Sequence, residues 1–144
     1  MAKLQDIIQW CDQTLKSTEF KDYAPNGLQI EGKTEVRKIL AAVTASQDAI
    51  DAAIRENADL LLVHHGYFWK GEAYPITGMR GKRIKSLIQH DISLLAYHLP
   101  LDSHPSLGNN AAIADLLKLE RIEALDPSER HPIGNIGYLN QPMP

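Results

Sequence analysis

Apolar residues recur at three- and four-residue spacing through Leu4, Ile7, Ile8, Cys11 and Leu15. This predicts an opening helix with one apolar face and makes Cys11 a core residue. Asn26-Gly27 supplies turn chemistry, and the alternation that follows, as far as Gly32, predicts a short edge strand. Lys38 to Thr44, aliphatic and β-branched, predicts a buried strand. Ser46 is placed to cap a helix whose inward stripe is Ala49, Ile50, Ala53 and Ile54, with Asp48 favourably set in its first turn. That helix ends near Asn57 and the strand from Asp59 to His65 follows at once, so strand, helix and strand form one right-handed parallel crossover. The unit then repeats. After an irregular stretch carrying Gly66, Gly71, Pro75 and Gly78, a third helix is marked by Ile84, Leu87 and Ile88 and a third strand by Ile92 to His98. A fourth helix is expected from Asn109 or Asn110, with Ile113, Leu116 and Leu117 facing inward. Glu120 to Leu125 is a weaker strand. A loop from Pro127 and an edge strand around Ile136-Gly137-Tyr138-Leu139 precede the closing Pro142-Met143-Pro144. The alternation predicts an α/β fold, a mostly parallel sheet with helices packed on it.

A chain of 144 residues suits a single α/β lobe with a real core. With 44% hydrophobic and 23% charged residues it has an ordinary globular composition, and a net charge of -3 gives no overall field for nucleic acid or an anionic membrane. Cys11, the sole cysteine, excludes an intrachain disulfide framework and a CxxC motif; it fits a reducing compartment, so a cytoplasmic location is expected. The amino terminus lacks the apolar core of a signal peptide, and no run approaches the roughly 20 apolar residues of a membrane span.

The chemistry is concentrated where two of the strands stop. Leu60-Leu61-Leu62-Val63 runs into His64-His65, and the strand from Ile92 runs into His98-Leu99-Pro100-Leu101-Asp102-Ser103-His104, so these segments hold four of the six histidines. Strand ends at the carboxyl edge of an open α/β sheet are where such proteins bind their ligands, and imidazole with carboxylate is a mixed nitrogen and oxygen donor set for a metal. An extended backbone through Pro100 would give His98, Asp102 and His104 one parity and one pocket. His64 and His65 should point to opposite faces of a regular strand, but Gly66 permits a twist at its end. The plainer readings are specific too: His98 as a residue that orients a ligand, His104 as a support for its loop, and His90 and His131 as surface residues. Tyr67-Phe68-Trp69 lines a pocket or packs beneath a loop. Arg80, Lys82, Arg83 and Lys85 form a phosphate site or a solvated helix face, the latter being the commoner use of such a run.

The strings Asn26-Gly27-Leu28-Gln29-Ile30-Glu31-Gly32, His64-His65-Gly66-Tyr67-Phe68-Trp69, His98-Leu99-Pro100-Leu101-Asp102 and Gly108-Asn109-Asn110 resemble those of the Nif-three-like proteins, also described as GTP cyclohydrolase I type 2-like. The resemblance covers nearly the whole chain. It implies an α/β fold with two related lobes, a dinuclear metal centre and a toroidal homohexamer. By matching motif it implies that His64 and His65 each bind a separate metal and that Asp102 is a further ligand. The family name implies hydrolytic opening of a purine nucleotide ring. Such proteins are longer and complete the centre with a His-x-x-x-Glu pair near the carboxyl end, whereas no histidine here is followed four residues later by glutamate. The chain is therefore expected to be the amino-terminal portion of a longer, two-lobed protein holding two divalent ions per subunit.

Two functions follow as expectations. The first is a metal-dependent hydrolase of a nucleotide or related heterocycle, with His64, His65 and Asp102 as ligands, His98 or His104 as proton carriers, and zinc, iron, manganese or nickel as the ion. The second is a non-catalytic metal-binding scaffold or regulatory partner protein that forms a ring. Nucleic-acid binding through residues 80–85 is disfavoured by the net negative charge, and no membrane role is expected.

Overall fold

A computed structural model of the protein describes residues 1–141; the closing Pro142-Met143-Pro144 lies outside the described residues. The described chain divides into a first unit from Met1 to His98 and a second from Leu99 onward.

In the first unit, strand β1 (Ala2–Lys3) leads directly into helix α1 (Leu4–Leu15), which buries Leu4 and Cys11 as the periodicity requires. A 3-10 turn over Ser17–Glu19 and an irregular stretch bring the chain to strand β2 (Gly27–Ile30), where Gly27 takes the positive φ of 101° that suits glycine. Strand β3 (Glu35–Val36) pairs antiparallel with β1. Strand β4 (Ile39–Thr44), helix α2 (Gln47–Arg55), strand β5 (Leu60–His65), helix α3 (Gly78–Gln89) and strand β6 (Ser93–Ala96) follow in strict alternation. The Ser46 hydroxyl accepts from the Ala49 N–H at 3.2 Å and caps α2 as expected.

The sheet order is β2-β6-β5-β4, with β4, β5 and β6 parallel and β2 antiparallel on the edge. Leu61 pairs with Leu40 on one side and with Leu94 on the other, so the centre of the sheet is an aliphatic row. Leu61, Val63, Leu94 and Ala96 pack in one cluster with Ile50 and Ala53 of α2 and Ile84 and Leu87 of α3. The alternate positions Leu60 and Leu95 are fully buried on the other side of the sheet, and Tyr97 of the same parity reaches α1 with its hydroxyl on Asp12 at 3.0 Å.

One strand departs from expectation. β4 is an edge strand: Leu40 and Ala42 pack on the core, but Ile39 and Val43 are 48% and 69% exposed. Its composition matches that of a central strand, and composition alone does not say how many neighbours a strand has.

The second unit holds helix α4 (Leu99–Ser103), helix α5 (Asn109–Leu116) and the antiparallel pair β7 (Glu120–Ala124) and β8 (Asn135–Tyr138). α5 buries Ala114 and leaves Ile113, Leu116 and Leu117 exposed, the reverse of the expected face. Among the described residues no helix is long and apolar enough to cross a membrane.

Asp59, one residue before β5, fastens the amino edge of the sheet. Its carboxylate accepts from Lys33 Nζ at 2.8 Å and from the backbone N–H groups of Arg37 at 2.9 Å and Lys38 at 3.2 Å. The Lys33 ammonium, then the Arg37 N–H, hold this carboxyl below its ordinary range. A depressed carboxyl stabilises the fold above its unfolded pKa, and that contribution is lost as pH falls through the folded value. Lys33 is half exposed and screened, so its share is discounted, while the two backbone bonds keep theirs. Asp59→Asn is expected to cost about 2 kcal/mol at pH 7, with a smaller gap from wild type at pH ~3, measured by urea unfolding at both values. An unchanged gap would remove the charge from this explanation.

Candidate metal centre

The parallel strands β5 and β6 stop side by side, and the residues that end them meet. Tyr97 N–H donates to the Val63 carbonyl at 3.0 Å, so the chain leaving β6 stays in step with β5 and delivers His98 beside His64 and His65. The ring centroids of His64 and His65 lie 4.4 Å apart, those of His64 and His98 4.9 Å, and those of His65 and His98 5.7 Å. One nitrogen from each ring falls within 4.8 Å of the other two, close enough for a single ion to be shared. The adjacent imidazoles therefore converge.

Gly66 sets this strand end. A β-carbon there would meet the Gln29 amide and stand 2.8 Å from Ala96 Cβ. Gln29 Oε1 accepts from the Tyr67 N–H at 2.7 Å, and its Nε2 donates to the Pro25 carbonyl at 2.9 Å, so one side chain ties the turn after β5 to the entry of β2.

Each ring is oriented through Nδ1. His64 Nδ1 lies 3.0 Å from the Tyr97 carbonyl and His98 Nδ1 lies 2.8 Å from Asp22 Oδ1. A carbonyl and an ionised carboxylate only accept, so both Nδ1 atoms carry hydrogen and the lone pair of each neutral ring is on Nε2. His65 Nδ1 lies 3.1 Å from Thr44 Oγ1, its cross-strand neighbour, and a hydroxyl leaves either tautomer open. Three imidazoles brought within reach of one ion, two of them with Nδ1 fixed on an acceptor, are a donor set that fits a divalent ion. Trp69 closes one side: its ring meets His98 edge-on at 4.9 Å, with its Nε1 donating to the Gly66 carbonyl at 3.2 Å.

Behind the rings lies a hydroxyl and carboxylate network. Tyr97 and Ser17 hydroxyls both donate to Asp12 Oδ1, at 3.0 and 2.6 Å. Burial first, and the Asp12 charge second, push the Tyr97 phenol far above its ordinary range, so it remains a donor at every physiological pH. The same two causes raise the Cys11 thiol, which makes it a buried and inert residue.

The other expected residues are placed as follows. Asp102 and His104 belong to the second unit. Asp102 lies in α4 and accepts from Asn109 Nδ2 at 2.9 Å; His104 Nδ1 accepts from the Ser106 and Leu107 N–H groups at 3.3 and 3.0 Å, the loop-supporting arrangement. The backbone does not stay extended through Pro100: it is helical from Leu99 to Ser103, which removes the parity argument for His98, Asp102 and His104. Proline is tolerated in the first turn of a helix because its missing N–H has no partner there anyway. His90 ends α3 on the surface, as expected, with Nδ1 2.8 Å from the Ser86 carbonyl. Tyr67 is buried with its hydroxyl on the Ala45 carbonyl at 2.6 Å, so it packs beneath the loop. Arg80 is committed to Glu72 at 2.7 Å. A cavity of about 440 Å³ lined by Met1, Lys33, Thr34, Glu35, Arg37 and Asp59 lies at the opposite, amino edge of β5, where Lys33 and Asp59 are paired with each other.

Asp22 and Thr44 contribute to the site without being picked out by sequence reasoning. Asn26 and Gln29 are visible within the Asn26-Gly27-Leu28-Gln29 string, but nothing in spacing reveals which distant group such amides hold.

The sequence model of the Duf34/NIF3 (NGG1p interacting factor 3) family matches residues 2–144. A curated relative from Haemophilus influenzae, called GTP cyclohydrolase 1 type 2 homolog, is 55% identical over 139 residues, which are 96% of this chain and 55% of the relative. A solved structure of protein ybgI, described as of unknown function, matches with a TM-score of 0.91 at 48% identity, covering 99% of this chain and 56% of that one. The crystal structure of TTHA1606 from Thermus thermophilus matches with a TM-score of 0.81 at 40% identity, covering 87% of this chain and 52% of its own. The chain thus spans about half the length of the relatives it matches.

Proposed function

The chain belongs to the Duf34/NIF3 family, and from that premise we propose that it binds a divalent metal ion through His64, His65 and His98 and contributes to a metal-dependent hydrolase of a nucleotide or related heterocycle. The convergence of three imidazoles within 4.8 Å at the carboxyl edge of the sheet carries this reading. Asp102 is proposed as a further ligand on the strength of the family resemblance, as are two ions per subunit and a homohexameric ring in the whole protein. His98, expected as an orienting residue or proton carrier, is here assigned to the ligands because its Nδ1 is held by Asp22 and its ring lies among the other two.

When bound, a divalent ion supplies Lewis acidity and activates water at neutral pH. The residues of this chain orient the donor nitrogens and, with Trp69, wall one side of the site. Relatives named GTP cyclohydrolase 1 type 2 homolog point to a purine nucleotide as the first substrate to try. The metal-loaded protein is expected to hydrolyse a member of a purine nucleotide panel, to lose that activity with chelator and to regain it on adding the ion. Turnover that survives chelation would refute the metal-dependent reading. A loaded protein without turnover on any nucleotide would favour the scaffold.

A further inference from the structure

The three aromatic residues that follow Gly66 are used in three ways. Tyr67 is 6% exposed and belongs to the core cluster of the sheet. Phe68 is exposed and takes a φ of 67°, the left-handed region that a bulky side chain rarely adopts. Trp69 is partly exposed, lies outside that cluster, and stands with its ring centroid 4.9 Å from His98, edge-on, and 6.0 Å from His65. The left-handed step at Phe68 thus separates a side chain committed to the core from one delivered beside the strand ends. Strain of this kind persists only where the surroundings over-determine it, and here both neighbours are fastened. Tyr67 N–H donates to Gln29 Oε1 at 2.7 Å and its hydroxyl to the Ala45 carbonyl at 2.6 Å. Trp69 N–H donates to Glu72 Oε2 at 3.1 Å, its carbonyl accepts from the Glu72 N–H at 3.0 Å, and its indole Nε1 donates to the Gly66 carbonyl at 3.2 Å. Glu72 is itself paired with Arg80 of α3 at 2.7 Å, and the Lys70 N–H donates to the Tyr23 carbonyl at 2.6 Å. Each polar group of Trp69 is therefore committed, and what the side chain still offers is aromatic surface.

We propose that Trp69 is the stacking residue of a substrate subsite, its indole receiving the planar heterocycle of the substrate beside the metal centre. The inference rests on the heterocyclic substrate proposed above, but not on which imidazoles hold the ion. A tryptophan needed for packing alone would lie in the core, as Tyr67 does, and would not require a strained residue before it. An indole immobilised before the ligand arrives loses little freedom when a ring is laid on it, which favours binding. Stacking accepts any base, because every base has a π-face, so Trp69 selects for a flat ring rather than for one particular purine.

The protein has two tryptophans, and Trp10 on α1 is 62% exposed, so Trp10→Phe leaves Trp69 as the remaining fluorescent indole. In that variant guanosine monophosphate is expected to quench the tryptophan emission saturably. Ribose 5-phosphate, which carries the sugar and phosphate without the ring, is expected to leave the emission unchanged. By equilibrium dialysis, Trp69→Leu is expected to bind guanosine monophosphate about 5- to 150-fold more weakly, the range for losing one stacked base, while Trp69→Tyr stays close to wild type. Emission that guanosine monophosphate does not move, emission that ribose 5-phosphate moves equally, or wild-type affinity in Trp69→Leu would overturn the stacking role. If Trp69→Leu fails to fold by circular dichroism, the emission of Trp10→Phe decides. Metal-dependent turnover of a nucleotide with no change at Trp69 would remove this subsite and keep the hydrolase. Quenching of Trp69 in a metal-loaded chain without turnover would keep the subsite and remove the hydrolase.

Discussion

His64→Ala is expected to weaken binding of a divalent ion by more than about 100-fold. The loss of an orienting partner alone costs up to about that factor, and this substitution removes a donor atom itself. His64 is the most enclosed of the three rings, 9% exposed, and its tautomer is set by the Tyr97 carbonyl. Alanine leaves that carbonyl without the imidazole and leaves His65 and His98 as a two-imidazole remnant. Metal content after equilibrium dialysis, beside a circular dichroism check that the fold persists, gives the answer. Equal metal in variant and wild type would remove His64 from the ligand set.

The second large effect is expected at Gly66. Even one added carbon there would contact the Gln29 amide and lie 2.8 Å from Ala96 Cβ, closer than side chains pack. Gly66→Val adds three carbons between two adjacent strand ends and must push Gln29 off the Tyr67 N–H. An overpacked, half-buried site and an abandoned, partly buried hydrogen bond together cost about 3 kcal/mol, read by urea unfolding. The same displacement moves the turn that follows His65, so metal affinity is expected to fall along with stability. A valine variant with wild-type stability would show that the turn yields freely, contrary to the packing described.

The parts of the fold that the sequence reveals are those set by local periodicity. Ile50 and Ala53 on α2, Ile84 and Leu87 on α3, and the runs that form β5 and β6 are buried as their spacing selects, although Ile88 of the same α3 pattern is 56% exposed. Neighbour number is not local, which is why β4 reads as buried yet stands at an edge with Ile39 and Val43 exposed. Pairings as short as β1 with β3, two residues each, have no period to detect. α4 is hidden by Pro100, whose preference for an extended predecessor is outweighed by its ease in a first helical turn. On α5 the apolar stripe is visible, but the side it faces is not, and Ala114 is the residue turned inward.

At the site, the strand ends themselves are legible: a hydrophobic run that stops in two imidazoles, beside another that stops in a third. The grouping of His98 with His64 and His65 is a consequence of the β5–β6 register, in which Val63 pairs with Ala96. Periodicity reveals the strands but not that register. Asp22 is invisible for the same kind of reason, since its partner His98 is 76 positions away and a lone aspartate before an Asn-Gly turn reads as turn chemistry.

X-ray absorption at the metal edge of the loaded protein addresses the three-histidine centre most directly, because outer-shell scattering from imidazole rings distinguishes histidine from carboxylate and water ligands. The expected spectrum shows a nitrogen and oxygen shell with the scattering of His64, His65 and His98, reduced by one imidazole in His64→Ala. A loaded protein whose metal shows an oxygen shell without imidazole scattering would contradict the assignment of this strand edge as the metal centre.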